Sequence, residues 1–329
     1  MSRQGILVVV GIVALFGISY WARIYLGANT FAPEEMNAES RLPKNEQDSS
    51  KNFPGQTASK CERIVSLAPS LTEIVFALGL GDRLVGVTRY CDYPEAAKSK
   101  KKIGGYYDPS NEAIMSLKPD MVIMLDEHLS ATKMMMATKT PHLNISNRRI
   151  FDILNAITTI GGACGVSDAA SQLRRQLQSR IDGVKSARSP GQKPKTVMIT
   201  TGRNMGSGTI SDAYITGREG YYDEMIAIAG GINVYQGNVA FPMVSAEGIL
   251  EMNPDIVIDM VPDLDESVLS KEQIIQQWSV LGHLRAVQTG QVYVLTEDYV
   301  VVPGPRFVLL LERLAKILGK ANALVENEK

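Results

Sequence analysis

The sequence predicts an α/β protein of two lobes with parallel sheets, joined by a single long backbone helix, with a ligand cleft between the lobes. Three observations predict it. One fourteen-residue unit occurs twice, once in each half. Short β-branched runs alternate with helical stretches in both halves, the pattern of parallel sheets. A proline-free helical stretch of about 20 residues, roughly 30 Å long, separates the halves.

The first copy of the unit is Ser110-Asn-Glu112-Ala-Ile114-Met-Ser-Leu117-Lys-Pro119-Asp120-Met-Val122-Ile123. The second is Ser245-Ala-Glu247-Gly-Ile249-Leu-Glu-Met252-Asn-Pro254-Asp255-Ile-Val257-Ile258. Seven positions are identical: Ser, Glu, Ile, Pro, Asp, Val and Ile. In each copy Ser stands as a helix N-cap, its hydroxyl accepting from a free amide of the first turn. Glu, two residues on, lies beside the positive end of the helix dipole. Ile114 with Leu117, and Ile249 with Met252, give one apolar face. Pro-Asp stops the helix. The β-branched runs that follow read as buried strands.

The chain has 329 residues and is 45% hydrophobic, enough for two domains of ordinary size. A net charge of -1 excludes the basic footprint of a nucleic-acid binder. Cys61, Cys91 and Cys164 match no zinc spacing. In an oxidising compartment one pair of them can be bridged, and three buried thiols are the alternative.

Residues 1–28 form a signal or membrane-anchor segment. Residues 5–21 carry no charge, a length that fits a signal-peptide core or a short spanning helix. Both send the rest of the chain to a periplasmic or extracytoplasmic location. Thr30-Phe31-Ala32 has tolerable ends for cleavage, but Pro33 would follow the cut, and no cysteine comes just after the apolar run, which favours an uncleaved anchor in the inner membrane. Residues 29–60, polar and without apolar period, form a disordered linker. Residues 61–148 form the N-terminal lobe: a strand at 63–67, a helix at 71–78, a strand at 84–87, the polar aromatic loop Thr88–Pro94, and the first repeat. The loop Asp126–His128, a Met-rich helix and a strand near 143–145 complete it. Residues 149–190 form a helical connector, broken near Gly161–Gly165 and continued by the backbone helix Ser167–Arg188. Residues 191–329 form the C-terminal lobe. It holds a strand at 196–200, the glycine-rich loop Gly202–Gly208, a helix from Asp223 and the second repeat. It closes with Trp278, Leu281, Leu284, a strand at 292–295, the loop Glu297–Tyr299 and a last helix to Leu318.

Ligands of parallel α/β sheets sit outside the carboxyl ends of the strands. The loops there are rich in Tyr, Arg and Gly, with few acids, and they nominate Arg89, Arg203, Arg218 and Arg306 as ligand contacts. Aromatic faces with guanidinium groups suit a flat or multi-ring ligand bearing negative charge or oxygen donors. No catalytic motif is present: no Gly-x-Ser-x-Gly, no His-Glu-x-x-His and no phosphate-binding Gly-Lys-Ser/Thr. Glu112 and Glu247, on separate lobes, are not placed for a hydrolytic carboxylate pair ~5–10 Å apart. An enzyme is not expected, nor a catalytic residue, a resident metal or a cofactor.

Arg63-Ile-Val-Ser-Leu-Ala-Pro-Ser-Leu-Thr-Glu73, Tyr90-Cys-Asp-Tyr-Pro94, the unit ending Leu-Lys-Pro-Asp-Met-Val-Ile123, and Trp278…Leu281…Leu284-Arg-Ala-Val-Gln-Thr-Gly-Gln-Val-Tyr293 together resemble a known family. It is that of the helical-backbone (class III) periplasmic solute-binding proteins, which serve ABC importers of ferric siderophores, cobalamin and haem. The resemblance covers about residues 61–320. It implies capture of a metal chelate in the cleft and delivery to a permease and its ATPase, the Fe or Co arriving with the ligand. It implies that Tyr90, Tyr107, Phe241 and Tyr299 lie in the cleft, and that Glu112 and Glu247 dock into arginines of the permease. Cobalamin-binding relatives usually offer Trp in the cleft, where neither Trp21 nor Trp278 is placed. The Arg and Tyr favour an anionic ferric chelate, a ferric siderophore, with cobalamin and haem as alternatives. Haem would take Tyr107 or His128 as axial ligand. A monomer is expected. A membrane-anchored sensor or scaffold that reuses the fold is the alternative from another class.

Overall fold

A computed structural model describes residues 61–188, 191, 193–265 and 269–326, the last seven through their backbone. The apolar run 5–21 and the linker 29–60 lie outside them. Among the described residues no helix is long and apolar enough to cross a membrane.

The N-terminal lobe carries a parallel sheet of β1 (Ile64–Ser66), β2 (Leu84–Val87), β3 (Met121–Leu125) and β4 (His142–Ile145), in the order β2-β1-β3-β4. The C-terminal lobe carries β5 (Thr196–Arg203), β6 (Asp212–Ile215), β7 (Ile232–Asn233), β8 (Met243–Ser245), β9 (Ile256–Met260) and β10 (Val292–Leu295). Its order is β10-β9-β5-β6-β8, with β7 beside the start of β5. This lobe departs from the all-parallel expectation, because β6 runs antiparallel to both β5 and β8. The segment 204–211 between β5 and β6 is short, and a parallel crossover needs about a dozen residues or more.

Strand alternation divides the core in the same way in both lobes. Ile64, Ile123, Ile199 and Ile258 face one main core that runs through both lobes and the connector. Val65 and Val122 face an outer cluster in one lobe, and Met198 and Val257 face another in the other lobe. Both repeats therefore present Val outward and Ile inward at matched positions.

The repeat unit folds as its residues dictate. The Ser110 and Ser245 hydroxyls accept from Ala113 N at 3.2 Å and Gly248 N at 3.3 Å, capping the helices Asn111–Ser116 and Ala246–Met252. Lys118 and Asn253, just before the prolines, take the left-handed backbone at φ 47° and 44°. The two aspartates do more than follow a helix stop. Asp120 accepts from Glu62 N and Arg63 N at 2.9 Å each, and Asp255 accepts from Thr196 N at 2.8 Å. Each carboxylate thus fastens the start of its own strand to the start of the neighbouring one.

The connector is a helical hairpin of Ile150–Ala163 and Ser167–Ser186. A Cβ on Gly161 would stand 2.3 Å from that of Ala170, so glycine lets the two helices approach. The longer helix also meets the last helix, Phe307–Glu326, where Arg180 donates to both oxygens of Glu312 at 2.8 and 2.9 Å. Cys61 and Cys164 form a disulfide from the edge of β1 to the end of the first connector helix, while Cys91 stays a buried free thiol.

That disulfide closes a loop of 103 residues containing the N-terminal lobe. Replacing both cysteines by alanine should lower unfolding free energy by roughly 2–5 kcal/mol. Denaturant midpoints of the oxidised wild type and the variant measure it, and equal midpoints would refute a stabilising role.

Candidate functional site

A cavity of about 630 Å³ lies where the loops of the two lobes meet. That size is within the ~300–1,000 Å³ usual for small-molecule sites. Its walls come from the carboxyl ends of the strands. Pro69, Ser70 and Glu73 follow β1, and Tyr90, Asp92 and Tyr93 follow β2. Asn147 follows β4, Pro262 and Asp263 follow β9, and Asp298, Val301 and Arg306 follow β10. Tyr106, Tyr107 and Asp108 enter from the loop ahead of the first repeat.

Arg306 ties the lobes together. Its Nε and Nη2 donate to Glu73 Oε2 and Oε1 at 3.1 and 2.7 Å. Nη1 and Nη2 donate to the Asp298 carboxylate at 2.8 Å each. The Tyr93 ring lies 3.6 Å from the guanidinium carbon. Burial pushes the Glu73 carboxyl above the usual range, while Arg306 pulls it back. Burial works against the Arg306 charge, but the hydrogen bonds to Glu73 and Asp298 win and hold it more firmly protonated than an ordinary arginine. A Cβ on Gly304 would stand 3.0 Å from Glu73 Oε2 and 3.3 Å from Ser70 Cα, so glycine gives this close approach its room.

The lining is acidic. Glu73, Asp92, Asp108, Asp263 and Asp298 face it, against Lys98 and Arg306. Burial first, then Asp298 and Asp92, push the Asp263 carboxyl up. Behind the wall, the Tyr106 hydroxyl donates to Glu127 at 2.5 Å and its ring packs edge-on against His128, 4.9 Å between centroids. Burial, with the neighbouring Glu127, keeps the Tyr106 phenol protonated far above its ordinary range. His128 is buried, its Nδ1 accepts from Leu125 N at 3.2 Å, and its Nε2 has no hydrogen-bond partner. Burial lowers its pKa to about 4. Among the described residues no three His, Cys, Asp or Glu side chains converge to hold a metal ion.

Of the residues nominated from sequence, Tyr90, Tyr107 and Arg306 line the cavity. Arg89 stands at the rim, 3.6 Å from Asp108 and 5.9 Å from the Tyr90 ring centroid. Tyr299 and Phe241 are half-buried against the main core and do not line this cavity, although Tyr299 lies 5.8 Å from Arg306. Arg218 is exposed outside it. Arg203 is buried and does not line the cavity. Its Nε donates to Asp259 at 2.8 Å and Nη1 to Gln277 at 2.7 Å, inside the lobe, and the Trp278 indole donates to the same Asp259 at 2.8 Å. A buried carboxylate on the next strand draws the guanidinium inward. His128, the alternative axial ligand, is shielded by Tyr106 and lies off the cavity. Glu112 and Glu247 are exposed at the starts of their helices, outside the cavity.

Sequence reasoning passed over Glu73, Asp92, Tyr93, Asp108, Asp263 and Asp298. Asp263 had a signal: it follows the second repeat's strand at the position that His128 holds after the first.

A family model described as "Periplasmic binding protein" matches residues 64–299. The chain is 28% identical over 312 residues to the uncharacterized ABC transporter substrate-binding lipoprotein YvrC of Bacillus subtilis, covering 90% of this chain and 95% of that one. It is 26% identical over 264 residues to a vitamin B12-binding protein of Vibrio cholerae, covering 78% and 89%. Among solved structures, the apo form of the periplasmic heme-binding protein RhuT from Roseiflexus sp. RS-1 superposes with a TM-score of 0.67 at 27% identity, covering 79% and 99%.

His128 carries a pH prediction. Its folded pKa of about 4 lies below the ordinary 6.5, so the unfolded chain takes up the proton first. Stability is full above pH 6.5 and falls as pH drops toward 4, by on the order of 3 kcal/mol. His128→Asn keeps an acceptor for Leu125 N without titrating, so its stability curve should fall less over this window. Parallel curves for the two proteins would refute the assignment.

Proposed function

The chain belongs to the periplasmic binding protein family, and from that premise we propose that it is the extracytoplasmic substrate-binding component of an ABC importer that captures a metal chelate between its lobes. The observation that carries the ligand class is the aromatic, acid-lined cavity. Two of the relatives named above are a vitamin B12-binding and a heme-binding protein, and charge ranks such ligands. Five carboxylates and two cations line the cavity; Arg306 is paired with Glu73 and Asp298, and from outside the lining Arg89 and Lys102 stand 3.6 Å from Asp108 and Asp92 respectively. Such a lining disfavours an anionic ferric siderophore and a porphyrin with two propionates. It suits a corrinoid, whose rim of primary amides donates to carboxylates while its faces stack on Tyr90, Tyr93 and Tyr107. A neutral or cationic ferric hydroxamate is the second reading, favoured by the same lining.

Glu112 and Glu247 are the permease-docking residues in this reading. Both are exposed, both sit second in a Ser-capped helix, and both hold the same position in the repeat.

Calorimetric titration with cyanocobalamin, cobinamide, a cationic ferric hydroxamate and haemin tests the ligand. Saturable binding of a neutral or cationic compound, at least about tenfold tighter than haemin, is expected, a gap of ~1.4 kcal/mol. Tightest binding of haemin, or binding of none, would overturn it. Docking is tested separately. Glu112→Ala with Glu247→Ala should leave affinity within about twofold and abolish uptake by cells that express the permease. Lost affinity would put the two glutamates at the ligand instead.

A further inference from the structure

Both hydrogen-bonding edges of Arg306 are taken. Glu73 holds the Nε–Nη2 edge, Asp298 holds the Nη1–Nη2 edge, and Tyr93 covers one face. The two carboxylates differ in kind. Glu73 is 3% exposed, on the helix Pro69–Ala77, with Gly304 pressed against it. It belongs to the packing between the lobes. Asp298 is 48% exposed, stands at the first position of a short 3-10 turn, and faces the cavity.

We propose that Asp298 is a specificity-determining residue that serves as a built-in competing anion. Its carboxylate fills the edge of Arg306 that an anionic group of a ligand would take, and so turns the cleft toward neutral and cationic chelates. The inference rests on the reading of this cavity as the ligand site. A ligand carboxylate can grip Arg306 with both oxygens only by displacing two charge-assisted hydrogen bonds already at good length. It must also approach Asp92, Asp263 and the displaced Asp298 itself. Discrimination then comes from a repulsive element rather than from an attractive contact. Removing the Asp298 charge would leave Arg306 with a forked donor edge open to the cavity, the geometry that binds carboxylates in two-pronged fashion.

The test uses the full chain, Asp298→Ala and Asp298→Asn. The probes are protoporphyrin IX, which has two carboxylates and no metal, and its uncharged dimethyl ester. Both variants should bind the free acid at least about tenfold more tightly than the wild type does, with no such gain for the ester. Affinity for the free acid within twofold of wild type, in folded variants, would overturn the proposal. An equal gain for acid and ester would overturn it too, because it would mark steric opening. Loss of the folded state in both variants would make Asp298 a structural partner and overturn it as well. A wild type that binds neither cobalamins nor ferric hydroxamates would refute the functional reading alone. The gain on the variants is measured whatever the natural ligand is.

Discussion

The cleft depends on one buried carboxylate and the cation that reaches it from the other lobe. Glu73 lies on the first helix of the N-terminal lobe, almost without exposure. A charge there is costly unless it is paired, and the partner comes from 233 residues later in the chain. The lobes must therefore meet before that charge is accommodated. Gly304 permits the approach, Tyr93 covers the guanidinium, and Asp298 takes its outer edge. Such a pair adds little net stability, because desolvation offsets its attraction, but losing one partner would strand a buried charge. A second cross-lobe carboxylate works at the connector. Glu224 accepts from Ile150 N at 2.7 Å and Arg149 Nε at 2.6 Å, capping the first connector helix from the C-terminal lobe.

The duplicated unit was legible because everything it does is local. A capping serine, an apolar face, a proline stop and a β-branched run are written within fourteen consecutive residues. The second role of Asp120 and Asp255 was not legible, because the amides they bind lie at the start of another strand. The antiparallel strands of the C-terminal lobe were missed for a different reason. Asp212–Ile215 and Met243–Ser245 are too short to show a period, and only the length of the preceding loop constrains their direction.

The site was legible in outline, since the carboxyl ends of parallel strands select the right loops. Its charge was not. Counting arginines in loops took each as available, whereas pairing decides what an arginine offers a ligand. Arg203 is held by Asp259, 56 residues away in sequence. Nothing near Arg203 announces that pairing. Asp92 and Asp298 stand beside aromatic residues inside those loops, Asp108 is the residue after Tyr107, and Glu73 and Asp263 lie outside all of them.

Trp278 has an optical consequence. It is fully buried in the outer cluster of the C-terminal lobe, its indole bonded to Asp259, and it is the sole tryptophan among the described residues. No ligand in the cavity touches it. Its emission therefore reports colour rather than contact. A chelate that absorbs in the near ultraviolet or violet will drain it by energy transfer, while a colourless ligand of equal affinity will leave it bright.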